Sequence, residues 1–235
     1  MTETIGPRIA LIHALAESLA PIHAAFAELW PEAAIFDLFD SSLAPDRALA
    51  DTCDATMVRR FQTLADYAAE SEGVGGQTGA ILFTCSAFGP AIAAVQQCQT
   101  IPVLKPNEAA FAEALRHGRR IGLCVTFLPS LQSLADELQQ MAEAQDQSIE
   151  ITPILVEGAM AALKAGDGAR HDLLVRQACS ELPDLDTLVL GQFSLARAAF
   201  PLGQNHSLPI ITTPHSAVRA LKARMTTLHS QNART

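Results

Sequence analysis

Residues 8–19 read RIALIHALAESL and residues 120–131 read RIGLCVTFLPSL. At this offset of 112, Arg, Ile, Leu, Ser and Leu recur in step. A second pair lies farther along. AILFTCSAFGPAI (80–92) falls on TLVLGQFSLARAA (187–199) at an offset of 107, and the same offset carries IPVL (101–104) onto LPII (208–211). Alanine inflates similarity, but two segments holding one offset point to an internal duplication.

Around these segments, short apolar runs alternate with amphipathic stretches rich in alanine and leucine. The spacing predicts strands at 9–14, 34–39, 80–84, 102–104, 121–125, 151–156, 187–190 and 209–211. It predicts helices over 17–30, 54–70, 90–98, 131–144, near 172–179, and a last one after 211. In the second of these, Met57, Phe61, Leu64, Ala65 and Ala68 share one face. Strand–helix alternation implies parallel strands joined by right-handed crossovers, with both faces covered. The expected fold is therefore α/β: two similar Rossmann-like lobes with parallel sheets, related by a pseudo-twofold axis. A cleft between them is the expected active site, because open parallel sheets place ligands at the carboxyl ends of their strands.

Composition narrows the function. The 235 residues are 49% hydrophobic and 17% charged, which excludes a disordered or fibrous chain. Sixteen basic against twenty-five acidic residues leave a net charge of −9, with no cationic run longer than Arg59-Arg60 or Arg119-Arg120. A nucleic-acid or anionic-membrane partner is not expected, since phosphates are neutralised by clustered cations. One Trp and one Tyr also make a poor base-stacking platform. Five cysteines (Cys53, Cys85, Cys98, Cys124, Cys179), with no C-x-x-C spacing, read as reduced thiols in a cytoplasm. The opening MTETIGPRIALIHAL matches neither a signal peptide nor a membrane span.

Four loops should follow the first and third strands of the two halves. They carry His13-Ala14-Leu15, Thr126-Phe127 with Pro129-Ser130, Thr84-Cys85-Ser86-Ala87, and Gly191-Gln192-Phe193-Ser194. Hydroxyls and backbone N–H groups gathered at helix N-termini suit a carboxylate. Cys85 is delivered by an apolar strand into a helix start, where a thiolate is favoured, so its pKa is expected to fall. The competing account is that Cys85 is a small buried hydrophobe.

These pieces resemble the aspartate/glutamate/hydantoin racemase superfamily, whose relatives include arylmalonate decarboxylase and maleate isomerase. LFTCSAFGPAI is similar to the family's first cysteine loop, and IPVLKPNEAAFAEAL to the segment after that loop. IGLCVTFLPSLQSL resembles the threonine-bearing loop that opens the second half, and LVLGQFSLA stands where the family reads L-G-C-T or G-C-x-G. The resemblance covers nearly the whole chain through short motifs. It implies cofactor-independent chemistry at the carbon next to a small carboxylate, with a first lobe of 1–104 plus 208–235 and a second of 105–207. It also leaves a homodimer open.

In racemases of the family, one cysteine on each lobe works at the α-carbon from opposite faces. Cys85 matches the first; Gln192 stands in place of the second, and an amide neither gives nor takes a proton usefully near neutral pH. The resemblance thus implies a one-thiol racemase, isomerase or decarboxylase with catalytic Cys85. The decarboxylase relatives keep only the second cysteine, so this chain would be their mirror image. His13, Thr84, Ser86, Thr126, Gln192, Phe193 and Ser194 are the expected substrate-binding residues. His13 is alternatively a strand-end histidine, and Ser86 and Ser194 are alternatively helix caps.

Other motifs carry less. GVGGQTG (73–79) lacks the G-K-[ST] ending and the third glycine of a dinucleotide loop, and reads as a flexible turn. There is no H-E-x-x-H or clustered metal set, and His206 and His215 converge with nothing. His215, in TTPHSAVRAL, reads as a cap of the last helix. No G-x-S-x-G elbow is present. Two rivals remain: a non-catalytic carboxylate-binding or regulatory protein on the same fold, and a thiol hydrolase in which His13 is the base of Cys85.

Overall fold

The structure, a computed structural model, describes residues 5–50, 53–204 and 207–232. His206 lies outside them. The chain divides into two compact units, Met1–Pro106 with Ala217–Thr235, and Asn107–Ser216.

The first unit begins with β1 (Arg8–His13), α1 (Leu19–Leu29) and β2 (Ala34–Phe39), followed by α2 (Leu43–Leu49) and α3 (Ala55–Glu70). The short β3 (Glu72–Gly73) leads into β4 (Gly76–Phe83), α4 (Gly89–Cys98) and β5 (Val103–Leu104). β1 is central, parallel to β2 on one side and to β4 on the other, and β4 also pairs with β5. β1, β5 and the apolar end of β4 are buried on both faces, as the centre of a covered parallel sheet requires, while the edge strand β2 is only partly covered. Asp54 caps α3 by accepting from the Met57 N–H at 2.8 Å. That helix lays Met57, Phe61, Ala65 and Ala68 against the sheet, and Phe61 contacts Phe83 and Phe88 at ring centroid distances of 5.1 and 4.8 Å.

The second unit contains α5 (Glu108–His117), β6 (Arg120–Val125), α6 (Leu128–Glu143), β7 (Glu150–Leu155), α7 (Ala159–Lys164) and α8 (Gly168–Ala178). It continues through β8 (Thr187–Leu190), α9 (Ala199–Gly203) and β9 (Ile210–Thr212) into α10 (Thr213–Asn232). Its sheet order, β7-β6-β8-β9, repeats the β2-β1-β4-β5 order of the first. The repeat holds in register as well as in order. Leu11 pairs with Leu82 and Ile81 with Val103; the residues carried by the two sequence offsets, Leu123 with Val189 and Leu188 with Ile210, pair the same way. Because β9 pairs with β8, residues 210–212 belong to the second sheet, not to the first lobe to which the sequence reading assigns them.

GVGGQTG forms a tight hairpin turn between β3 and β4, tied down by Arg8, whose N–H donates to Gly75 O at 3.2 Å. Gly75 has φ +81°, and a Cβ there would lie 2.8 Å from Ala34 Cβ, so this turn is fixed and needs its glycine. Among the described residues no helix is long and apolar enough to cross a membrane.

The aromatic cluster under the first sheet sets a stability expectation. Phe61 is 2% exposed, so Phe61→Ala should cost about 3–5 kcal/mol. Urea unfolding followed by circular dichroism should show an earlier midpoint, and an unchanged midpoint would place the core elsewhere.

Candidate functional site

The carboxyl ends of the central strands are built alike in the two units. In the first, the Thr84 N–H donates to Ile12 O at 3.1 Å; in the second, the Gly191 N–H donates to Cys124 O at 2.8 Å. The next residue in each case is extended and opens a 3-10 turn. Cys85 (φ −119°, ψ 121°) precedes Ser86–Phe88, and Gln192 (φ −136°, ψ 145°) precedes Phe193–Ala198. The first-strand loops match too, with Leu15 (φ −137°) and Phe127 (φ −140°) as the extended residues before a helical turn. Cys85 and Gln192 thus occupy equivalent backbone positions.

Cys85 is half-buried and packs against the apolar core of its unit. Burial pushes its thiol from an ordinary 9.0 up to about 11, while a hydrogen bond from the Ala87 backbone N–H pulls weakly the other way. The expected fall in pKa is therefore reversed. The turn beyond it is a three-residue 3-10 turn, too short to offer a full helix N-terminus, and desolvation wins.

Beside this loop lies a buried polar cluster. His13 is fully buried, and Ser18 and Thr84 are 5% and 4% exposed. His13 Nδ1 lies 2.8 Å from Thr84 Oγ1 and 3.1 Å from Ser18 Oγ, and the two hydroxyls are 2.9 Å apart. Ser18 Oγ–H donates to Leu15 O at 2.7 Å. His13 Nε2 lies 2.9 Å from Asp37 Oδ1, an oxygen that the half-exposed His23 also reaches at 2.9 Å. Burial lowers the His13 pKa against the raising effect of Asp37, so the neutral imidazole is favoured. His13 and Thr84, both expected to bind substrate, are hydrogen-bonded to one another. Among the described residues no hydrogen bond joins His13 to Cys85, so the thiol-hydrolase arrangement is not formed. Ser86 is half-buried and makes no side-chain hydrogen bond with the described residues.

In the second unit, Gln192 Oε1 accepts from both the N–H and the hydroxyl of Thr126, each at 2.7 Å. A backbone N–H can only donate, so the oxygen assignment is forced and the Gln192 Nε2 donors remain unengaged among the described residues. Phe193 is buried beneath this loop, and Ser194 is 4% exposed with its hydroxyl unpartnered among the described residues. Asn107 Nδ2–H donates to Gly191 O at 2.8 Å, bracing the loop, while its buried Oδ1 has no partner among them. His215 stands within the first turn of α10, with its Nδ1 2.6 Å from Thr212 Oγ1.

Ser18, Asp37 and Asn107 are missing from the sequence reading. Asp37 is visible as the lone charge in the strand AIFDLF, and Ser18 as the serine that recurs at 130 in the repeat. Asn107 precedes Glu108 at a helix start, a capping signal, but nothing local shows that it reaches Gly191.

Sequence and structure comparisons place this fold among known ones. The model of the family described as Asp/Glu/Hydantoin racemase matches residues 16–221. A search of curated proteins gives no significant match. Among solved structures, a glutamate racemase from Bacillus anthracis is 17% identical with a TM-score of 0.69, covering 95% of this chain and 83% of that one. An allantoin racemase from Pseudomonas fluorescens is 13% identical with a TM-score of 0.65, covering 94% and 91%. An aspartate racemase from Picrophilus torridus is 13% identical with a TM-score of 0.67, covering 89% and 90%. At these identities the likeness is one of fold.

The Cys85 environment has a direct readout. Alkylation by iodoacetamide should accelerate with pH through 8, 9 and 10 and level off only near about 11. A plateau near neutrality, monitored by mass spectrometry at Cys85, would contradict the buried thiol. The folded thiol titrates above its unfolded value of 9.0. Its contribution to stability is therefore complete below pH 9.0 and is lost as pH rises toward about 11.

Proposed function

The chain belongs to the Asp/Glu/hydantoin racemase family, a family of isomerases, and from that premise we propose that it is a one-thiol enzyme acting at the carbon next to a small carboxylate. The observation that carries this reading is the equivalence of Cys85 and Gln192: the same backbone position holds a thiol in one unit and an amide in the other. The raised thiol pKa supports Cys85 as an acid that is protonated at rest and delivers its proton to carbon. Gln192 Nε2, the Ser86 and Ser194 hydroxyls and the loop N–H groups are the proposed donors to a carboxylate or enolate. Thr126 is best read as the residue that aims Gln192, since both of its donors go to Oε1.

The chemistry balances with one thiol. If the substrate is a malonate-type diacid, carbon dioxide leaves, its bonding pair becomes an enediolate, and the Cys85 S–H gives that carbon a proton. The thiolate then recovers a proton from water. Racemisation, the activity in the names of the glutamate, aspartate and allantoin racemases, would in a two-base form need a second proton carrier that Gln192 does not supply. Cofactor independence and a cytoplasmic location are parts of the same proposal.

Solvent deuterium incorporation into aspartate, glutamate, hydantoins and malonates tests it. One class should gain deuterium or lose carbon dioxide, and Cys85→Ser should lower that rate by about 10²–10⁴-fold. Full activity in Cys85→Ser would remove the thiol from the chemistry. Ligand-induced stabilisation without any turnover across the panel would favour a binding protein. Gln192→Cys should add racemisation by restoring a second proton carrier. A prochiral malonate should be protonated on the face opposite to that used by arylmalonate decarboxylase; protonation on the same face would refute the mirror-image relation.

A further inference from the structure

We propose that Asp37 is a positioning residue for the Cys85 loop, acting through His13 and Thr84; this rests on the reading of Cys85 as the proton donor. A carboxylate oxygen accepts, so the His13 nitrogen 2.9 Å from Asp37 Oδ1, Nε2, carries the hydrogen. In the neutral imidazole that leaves Nδ1 as a lone pair, and Thr84 Oγ1 lies 2.8 Å from it. Thr84 therefore donates its hydroxyl to Nδ1: Ile12 O is at a longer 3.3 Å, and giving the hydrogen to Ser18 Oγ at 2.9 Å would leave the buried Nδ1 without a donor, because Ser18's own hydrogen is on Leu15 O. Ser18, with its own hydrogen on Leu15 O, closes the cluster from the other side. The result is a directed chain, Thr84 O–H to His13 Nδ1 and His13 Nε2–H to Asp37, that holds the side chain one peptide away from Cys85.

The duplication supplies the control. Across the repeat, the counterparts of His13 and Thr84 are Val125 and Gly191, and Pro153 pairs with Leu123 where Asp37 pairs with Leu11. Ser130 alone retains its polar character. The unit that carries Gln192 thus builds the same strand ends and the same turn without any such chain. Folding these loops does not require it, and it accompanies the thiol. A buried imidazole is costly to accommodate unless every partner is in place, which also argues against His13 as simple core filling.

The test uses the whole protein and needs no substrate. With ¹⁵N-histidine labelling, His13 should show the Nε2–H tautomer in the wild type and lose it in Asp37→Asn, whose amide can donate to Nε2. Thr84→Val keeps the volume, the Asp37–His13 pair and the tautomer but breaks the last link. Both variants should raise the iodoacetamide rate at Cys85 by about fivefold, the factor set by one hydrogen bond of ordinary strength, because the released loop opens the sulfur. Thr84→Ser, which keeps the hydroxyl, should restore the wild-type rate to within about twofold. Unchanged alkylation in Thr84→Val, with the fold intact by circular dichroism, overturns the proposal even if Asp37→Asn fails to fold. So does a lowered melting temperature in Asp37→Asn with neither tautomer nor alkylation moved, which is what a merely structural role would give. Turnover that survives in Cys85→Ser would remove the thiol from catalysis without altering these rates, so the two readings fail separately.

Discussion

Two backbone hydrogen bonds, Thr84 N–H to Ile12 O and Gly191 N–H to Cys124 O, close the central strand pairs of the two units and set the geometry of both loops. Each ends a parallel pairing at the same step of the ladder and leaves the next residue extended before a 3-10 turn. A one-residue slip in either pair would turn the strand side chains to the opposite face of the sheet, and with them the loop residue. The close packing of the buried side chains on both faces of β1, β4, β6 and β8 resists such slips, because each side chain would have to fit the space of a differently shaped neighbour. The positions of Cys85 and Gln192 are thus a consequence of sheet register, and the chemistry at each was free to diverge within an identical backbone frame.

That divergence extends beyond the two residues. Next to Gln192 the loop is braced by uncharged contacts: Asn107 on Gly191 O, and Thr126 on Gln192 Oε1. Next to Cys85 the brace is an imidazole and a carboxylate. An amide has a donor and an acceptor end, and Thr126 fills the acceptor end, which leaves the donor end unengaged among the described residues. A thiol has no comparable directional hold, and its loop must be fixed through its neighbour. The two braces suit the two different groups they support.

Much of this is legible in the sequence, and for a physical reason. Hydrophobic periodicity and the two offsets report strand identity and register, which buried parallel sheets enforce strongly, so β1, β2, β4, β6, β7 and β8 fall within two or three residues of their expected places at all but the exposed start of β4. Short helices such as α2 and α7 escape because their stability comes from packing and not from a repeating local pattern. The domain boundary near β9 escapes because edge pairing is a long-range fact: Ile210 belongs with Leu188 through a ladder that no local signal announces. The direction of the Cys85 pKa escapes for the same kind of reason. A helix start is visible in sequence, whereas the enclosure of a sulfur by residues from several elements is not.

The reversed thiol pKa makes the missing second cysteine more intelligible. A two-thiol racemase needs one group ionised and ready to take a proton while its counterpart is protonated, which rewards thiols titrating near neutrality. On the proposed one-thiol reading, with an amide at the second position, the remaining thiol needs only to stay protonated until a carbanion forms. A buried sulfur titrating near about 11 is a poor resting base but a well-poised donor to carbon, whose conjugate acid is weaker still. Desolvation, adverse in a nucleophile, is then suited to the task. Nothing in such a design calls for a cation beside the sulfur, and the charged side chain in the loop's hydrogen-bond chain, Asp37, is held two residues of the chain away, behind His13 and Thr84.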